Sequence, residues 1–318
     1  MKLKVLFLIT IAALAGASSA CYQPEVRASR TNRAPAPPPV NAKPAANSEA
    51  PSNPKVDNPQ TGPANSKPME DKKTGFRANL PAGFVMPADA VGQRLLEEYG
   101  SVCLAAGGAE APEKILYRDE QEVARFQSKL STASESIGKF DVVLQKPAMD
   151  ALKRAIDEAR AKGLEITPRG ADSAKRTYAE TVKLWESRVT PGLAHWVAKG
   201  RLSSAESDRI RSLAPFEQVP EILKLEKEGL YFSKDFSKSI LYSVAAPGAS
   251  QHLYLLALDI EQFADREVRE ILARHGWFQT VQSDLPHFTY LGAPESELPA
   301  KGLKAVTVSG QKFWVPSL

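Results

Sequence analysis

The sequence predicts an α+β domain over residues 76–318, preceded by a long segment that cannot build a core. Apolar residues recur at helical spacing in some stretches and form short extended runs in others, which is typical of mixed helix and strand. Between Tyr22 and Gly75 there are eleven prolines and no Leu, Ile, Phe or Trp. Such a segment has too little apolar surface to offset the entropy of ordering.

Residues 1–20 have the order of a secretory signal: lysines, an apolar run over Val5–Leu14, then small residues. The run is too short to predict a membrane span. Cys21 directly follows the small residues, at a position that resembles the lipid-acceptor cysteine of bacterial lipoproteins. Ordinary cleavage before an incidental cysteine is the alternative. We therefore expect export to the bacterial cell envelope, as a periplasmic protein or a lipoprotein anchored at Cys21.

The rest of the chain divides by composition into three parts. Residues 21–75 are predicted to be a disordered Pro/Ala-rich tether, residues 76–140 an N-terminal extension of uncertain role, and residues 141–318 the main folded domain. Within the folded part the expected elements follow in order. These are a helix from Met149 to Gly163, a second helix capped by Asp172, a short helix Pro220–Lys227, a strand Leu253–Ile260, a helix Glu261–His275, strands Trp277–Val281 and Phe288–Leu291, and a hairpin Ala305–Val308 with Gln311–Val315.

Composition excludes several classes of protein. The net charge is +4, from 41 basic and 37 acidic residues that are dispersed along the chain, so no nucleic-acid partner is predicted. Two cysteines cannot form a disulfide scaffold or a cysteine-built zinc finger. Cys103 lies in an apolar context and is predicted to be a small buried hydrophobe.

The chemistry-bearing residues concentrate near the C-terminal end. His252 precedes the apolar run and Asp259 ends it, while Asp284 and His287 flank Pro286. If His252, Asp259 and His287 converge, they supply the three-ligand set of a catalytic zinc site. Asp284 would then be free to take a proton. By spacing alone the pattern is common, and a helix cap is the main alternative for Asp259.

Three segments of the chain resemble a known family. Ser250-Gln251-His252 followed by Ala257-Leu258-Asp259 resembles the S-x-H-x-x-G-x-A-x-D signature of zinc D-alanyl-D-alanine carboxypeptidases and dipeptidases, which are grouped with lysostaphin-type endopeptidases and the hedgehog domain. Asp284 and His287 match the second signature, a carboxylate three residues before a histidine. The stretch Thr167-Pro168-Arg169-Gly170 resembles the segment in which these enzymes carry an arginine.

The resemblance implies a fold, a cofactor and a set of roles. The expected fold is a small antiparallel sheet carrying the metal site, with helices packed on one side. His252, Asp259 and His287 would bind Zn²⁺, and Asp284 would be the general base for a metal-activated water. Arg169 would stabilise the oxyanion and Ser250 would bind the substrate. The implied substrates are peptidoglycan stem peptides, and the activity that the resemblance favours is that of a D,D-carboxypeptidase. We also expect a monomer.

Two positions depart from the family pattern. Leu255 stands where the signature has glycine, and Asp284 stands where the base is usually glutamate, one methylene longer. A carboxylate displaced by about 1 Å can cost about a hundredfold in rate. The alternatives are therefore a non-catalytic, metal-retaining cell-wall-binding lipoprotein on the same scaffold, or a purely structural envelope protein. Without the family, a surface ion pair is the preferred interpretation of Arg169. For His275, capping of a helix is preferred over metal ligation.

Overall fold

The computed structural model describes residues 75–318, which lie within one unit, Ser66–Leu318. The predicted signal, Cys21 and the tether up to residue 74 lie outside the described residues. The described part is α+β, as the sequence predicts. Its helices are α1 (Ala90–Tyr99), α2 (Glu120–Gln127), α3 (Lys146–Ala161), α4 (Tyr178–Ala198), α5 (Ser204–Arg211), α6 (Pro215–Lys227) and α7 (Arg266–Arg274).

The strands of the described part form three small antiparallel sheets. Two are hairpins and the third has the order β3-β5-β4. The strands are β1 (Thr132–Ile137), β2 (Phe140–Gln145), β3 (Ala257–Asp259), β4 (Trp277–Gln279), β5 (His287–Tyr290), β6 (Leu303–Val308) and β7 (Gln311–Pro316). In the central sheet, β5 is buried along its whole length and pairs with both neighbours. Its first residue, His287, lies opposite Asp259 in the register.

The predicted strand Leu253–Ile260 is only partly extended. Residues Gln251–Tyr254 form a 3₁₀ turn, and Leu255 has a left-handed backbone with φ of 56°. Only Ala257–Asp259 pairs as a strand. The apolar run reflects burial on all sides, which hydrophobicity alone cannot distinguish from strand structure.

Two helices begin later than predicted because better caps follow. Helix α4 is capped by Thr177, whose hydroxyl accepts from the Glu180 N–H while the Glu180 carboxylate accepts from the Thr177 N–H. This reciprocal capping box replaces the predicted cap at Asp172. Helix α7 is capped by Asp265, which accepts from two backbone N–H groups of the first turn, so Glu261 lies outside that helix.

Residues 76–140 contribute to the same hydrophobic core as the rest of the described chain. Leu95, Leu96 and Tyr99 of α1 are buried in it, and so is Cys103, which is buried as predicted. The predicted boundary at residues 140 and 141 lies at the start of β2, which pairs with β1 along its whole length. The extension therefore shares both core and sheet structure with the residues that follow it.

The first described residues are held against the turn that leads into the C-terminal hairpin. The Gly75 N–H donates to the Ala300 carbonyl at 3.0 Å, and Phe76 is buried. Gly302 has a φ of 86°, and a β-carbon there would lie 1.9 Å from the Phe76 nitrogen. Only glycine permits this backbone approach. In the described residues, no helix combines the length and apolarity that a membrane crossing requires.

Candidate metal centre

The three predicted ligands converge on one point. His252, Asp259 and His287 each offer a ligand atom, and these atoms lie within 4.8 Å of one another. His252 comes from the 3₁₀ turn, Asp259 from the end of β3 and His287 from the start of β5. Antiparallel pairing brings the last two together, and the tight turn at Leu255 returns the chain so that His252 faces them.

The His252 imidazole has one nitrogen satisfied and one without a partner. Nδ1 lies 2.8 Å from the Ala174 carbonyl oxygen. Because a carbonyl only accepts, Nδ1 must carry the hydrogen, and Nε2 is left with a lone pair. In the described structure Nε2 is buried and has no hydrogen-bond donor or acceptor. It lies 3.4 Å from Oδ1 of Asp259.

The tautomer of His287 is set by Gln251. The Gln251 side-chain nitrogen donates to the Tyr99 carbonyl at 2.9 Å, which fixes the orientation of its amide. Its Oε1 therefore faces Nε2 of His287 at 2.9 Å and accepts a hydrogen bond from it. The same oxygen accepts from the Thr289 hydroxyl. Nδ1 of His287 is then a lone pair, and it lies 3.1 Å from Oδ1 of Asp259.

Three acceptor atoms thus face one another with no donor between them. Bringing the lone pairs of two neutral imidazoles against a carboxylate is repulsive unless a cation lies among them. Two imidazole nitrogens and one carboxylate oxygen are a ligand set that zinc prefers in catalytic sites, with the fourth position open. The residues therefore fit a zinc ion. The hydrogen bonds to Ala174 and Gln251 are the outer partners that orient metal-binding imidazoles.

Electrostatics favours the ligand forms of these side chains. Burial is the main reason that the pKa of the His252 imidazole is lowered, which keeps the ring neutral. The Asp259 carboxylate faces the two imidazoles through Oδ1. The other carboxylate oxygen, Oδ2, accepts from Arg176 Nη2 at 2.9 Å. The cap of α7 is Asp265, so Asp259 has no capping role there.

The metal centre lies on a cleft of about 270 Å³. Ser250, His252 and His287 line it together with Asp284 and Arg176. Asp284 is exposed, and the His287 N–H donates to its backbone carbonyl at 3.1 Å, closing a tight turn through Pro286. This turn places Asp284 on the same cleft as His252 and His287. Ser250 is buried immediately before the 3₁₀ turn.

Arg169 is not brought to this cleft. Its backbone N–H donates to the Asp259 carbonyl at 3.0 Å, but its side chain is half exposed, pairs with Glu261 at 3.4 Å and lies over the Phe263 ring. The segment identified by resemblance therefore flanks the site, while the predicted arginine points elsewhere. The surface ion pair, the alternative interpretation of Arg169, is what the structure shows.

Arg176 is the arginine that sequence reasoning missed. Its Nε donates to the Asp172 carbonyl and its Nη2 to Asp259, and only 17% of its side chain is exposed. One signal could have identified it. A cation directly before the N-cap of a long helix faces the positive end of the helix dipole, which is unfavourable without a compensating anion. Here Asp259 supplies that anion.

The two remaining histidines have packing and capping roles. His275 is the C-cap of α7 and lies 2.9 Å from Glu158, in agreement with the capping interpretation. His195 stacks on Phe236 at 4.4 Å between ring centroids.

Comparisons with known proteins give structural likeness only. No family model matches the sequence, and no curated protein matches it. Solved structures do match. One is the vancomycin-resistance D,D-pentapeptidase VanY from a VanB-type cassette, in a mutant form with Zn(II), at 19% identity and a TM-score of 0.29, covering 52% of this chain and 81% of that one.

Two further structures give similar values. VanYB in complex with D-alanine-D-alanine matches at 20% identity and a TM-score of 0.30, over 52% of this chain and 80% of that chain. The LD-carboxypeptidase LdcB, described with respect to peptidoglycan recognition, matches at 17% identity and a TM-score of 0.27, over 51% and 64% of the two chains.

Proposed function

We propose that this protein is an exported zinc peptidase that hydrolyses peptidoglycan stem peptides, acting as a D-alanyl-D-alanine carboxypeptidase. The observation that carries the proposal is the convergence of three lone pairs, from His252, His287 and Asp259, beside a cleft with a free carboxylate. Export to the cell envelope rests on the N-terminal signal pattern, and anchoring at Cys21 on the position of that cysteine.

Each side chain has a role that follows from its position. Nε2 of His252, Nδ1 of His287 and Oδ1 of Asp259 would hold the zinc ion. When bound, the ion supplies Lewis-acid activation of a water molecule and of the scissile carbonyl. Arg176 holds Asp259 with Nη2, which leaves its other terminal nitrogen to donate to the carbonyl oxygen as negative charge develops. Donors of this kind contribute about 3 kcal/mol to transition-state stabilisation.

Asp284 is the group that moves a proton. Its carboxylate takes the proton from the attacking water as the new C–O bond forms. It then delivers that proton to the amide nitrogen as the C–N bond breaks, releasing the C-terminal residue as an amine. Ser250, at the head of the 3₁₀ turn, lies in the cleft where a peptide backbone would pass.

The test uses the full chain loaded with zinc and the pentapeptide L-Ala-γ-D-Glu-L-Lys-D-Ala-D-Ala. We expect release of D-alanine, and loss of at least about a hundredfold in kcat for Asp284→Asn. The matched control is Asp157→Asn, an exposed aspartate on α3 outside the cleft, which should leave kcat unchanged. No release of D-alanine from the wild-type protein, and no other cut in the peptide, would exclude the carboxypeptidase.

A second candidate is a metal-retaining protein that binds stem peptides without cutting them. It is favoured by the short side chain of Asp284 at the position of the proton carrier. The variant Asp284→Glu separates the two functions. If the protein is a carboxypeptidase that works with aspartate, the longer side chain displaces the carboxylate and the hydrolysis rate falls. If it is an inactive binder, the variant acquires a hydrolysis rate that the wild-type protein lacks.

A further inference from the structure

The cleft continues beyond the metal centre along helix α4. Thr181, Leu184 and Arg188 all line it, and their spacing of three and four residues places them on one face of the helix. Opposite them the wall is formed by residues 241–245, including Tyr242. Leu184 and Tyr242 are 37% and 45% exposed, two of the few large apolar side chains that are exposed in the described residues. Exposed apolar groups inside a polar cleft are typical of a ligand-contacting surface.

Arg188 is a guanidinium in this cleft with no anionic partner. Its Nε donates to the Ser243 hydroxyl at 2.7 Å, and Nη1 donates to the Ser187 hydroxyl at 2.9 Å. Within the residues that the structure describes, no carboxylate lies within ion-pair distance of it, and Nη2 has no hydrogen-bond acceptor. Arg176, the other cleft arginine, is already paired with Asp259. The two serines hold the Arg188 side chain in place and leave its charge uncompensated.

From these contacts we infer that Arg188 binds a carboxylate of the substrate, on the N-terminal side of the scissile bond. The inference rests on the proposed function, because it places the scissile bond at the metal centre. A carboxylate is the matching ligand, since it accepts two parallel hydrogen bonds from a guanidinium. A preference for acidic peptides over their amidated forms follows.

The length of the helix indicates which carboxylate is within reach. Arg188 lies ten residues after Tyr178, the first residue of α4, which corresponds to about 15 Å along the helix axis. Side chains on a helix lean towards its N-terminus, so the guanidinium lies closer to the metal centre than its backbone does. At roughly 3.3–3.6 Å per extended residue, the carboxylate belongs two to four residues from the bond that is cut. In the stem pentapeptide this is the α-carboxylate of the γ-linked D-glutamate, and it is not the C-terminal carboxylate of the leaving residue.

The experiment compares two peptides on the zinc-loaded full chain. One is L-Ala-γ-D-Glu-L-Lys-D-Ala-D-Ala, and the other is the same peptide with the glutamate α-carboxylate converted to a primary amide. For Arg188→Gln we expect KM for the acidic peptide to rise about 10- to 100-fold with little change in kcat. KM for the amidated peptide should stay the same. Arg188→Lys should restore part of the affinity, and Arg160→Gln, an exposed arginine on α3, should change neither peptide.

Calorimetric titration of the zinc-free protein with both peptides separates this inference from the proposed function. Binding that favours the acidic peptide and is lost in Arg188→Gln supports the carboxylate subsite even if the wild-type protein cuts neither peptide. Cleavage of both peptides with equal KM, unchanged in Arg188→Gln, would overturn the subsite and leave the peptidase standing. If Arg188→Gln raises KM equally for both peptides, Arg188 binds the C-terminal carboxylate that they share, and the inference is overturned. If the protein neither cleaves nor binds the peptides, both the peptidase and the carboxylate subsite are excluded.

Discussion

Gln251 lies between the imidazole of His287 and the Thr289 hydroxyl, and it is almost fully buried. It carries no charge and contacts no metal. By accepting from Nε2 of His287 it determines which nitrogen of that ring faces Asp259. An imidazole that lacks such a hydrogen-bond partner can rotate, or can carry its hydrogen on the nitrogen that should face the metal.

We expect Gln251→Leu to weaken zinc binding by about 10- to 100-fold, the usual loss when an outer partner of a metal ligand is removed. Competition with a chromophoric zinc chelator measures the affinity. Gln218→Leu is the matched control, because Gln218 is also buried but bonds to Trp185 on α4. Equal affinity in wild type and Gln251→Leu would show that the tautomer of His287 is set by another group.

Single residues also mark where sequence reasoning reached its limit. The ligands could be predicted because imidazole and carboxylate groups in a family pattern have few other uses. Leu255 could not be interpreted, since a leucine in an apolar run predicts a strand. Its backbone is left-handed, a conformation that glycine adopts most readily. Arg169 and Arg176 lie only seven residues apart, and choosing between them required the path of the loop around Asp259.

Helices α3 and α7 are joined by an ion-pair cluster at their ends. Glu158 of α3 accepts from Arg274 at 2.5 Å and 3.0 Å and lies 2.9 Å from His275, the cap of α7. These hydrogen bonds, first from Arg274 and then from His275, lower the pKa of the Glu158 carboxyl to about 2. Because the ionised form is favoured in the folded state, its stabilisation is present above the ordinary carboxyl pKa of about 4.3. It is lost as the pH falls towards 2.

Glu158→Gln should therefore reduce the free energy of unfolding at pH 6 and leave it almost unchanged at pH 2. The expected difference is under about 1 kcal/mol, because the cluster is partly exposed to solvent. Urea unfolding at both pH values measures it. Asp157→Asn, whose carboxylate pairs only within α3, serves as the control and should not show this pH dependence. A loss that is equal at both pH values would mean that packing, and not charge, explains the effect.

Helices and strands could be predicted where the apolar periodicity extends over many residues and the capping residue lies next to it. The interior of α3 and the C-terminal hairpin follow their apolar patterns. Helix starts were misplaced because Asp172 and Glu261 are acceptable first residues by composition. The actual starts depend on hydrogen bonds that Thr177 and Asp265 make in three dimensions. The β1–β2 hairpin was not predicted, since its exposed strand is polar and its apolar residues face the core contributed by distant segments.

At the scale of the whole molecule, the metal centre ties together the 3₁₀ turn, the sheet and the segment before α4. A ligand that binds only the folded state stabilises it by mass action. With free zinc at about a hundred times its dissociation constant, the gain is about 2.7 kcal/mol. Thermal melting should therefore occur at a higher temperature with zinc than with a chelator.

The variants His252→Ala and His275→Ala provide the comparison for this zinc effect. His252→Ala removes a ligand and should abolish the difference in melting temperature between zinc and chelator. His275→Ala should leave that difference intact, because His275 contacts Glu158. A wild-type melting temperature that does not respond to zinc would contradict the site. The α+β class and the convergence of two histidines with an aspartate were predictable at this scale. The continuation of the cleft to Arg188 was not, because it depends on the packing of α4 beside residues 241–245.

The contact between Phe76 and Gly302 determines where mechanical tension would enter the domain. Gly75 and Phe76 are fastened to the C-terminal hairpin region by a backbone hydrogen bond and by close backbone packing. A pull applied through the preceding residues would therefore be borne first by that hairpin. The residues that this attachment touches, Ala300 and Gly302, do not include His287 or Asp259, so a pull from the preceding residues would act first at a place outside the candidate metal site.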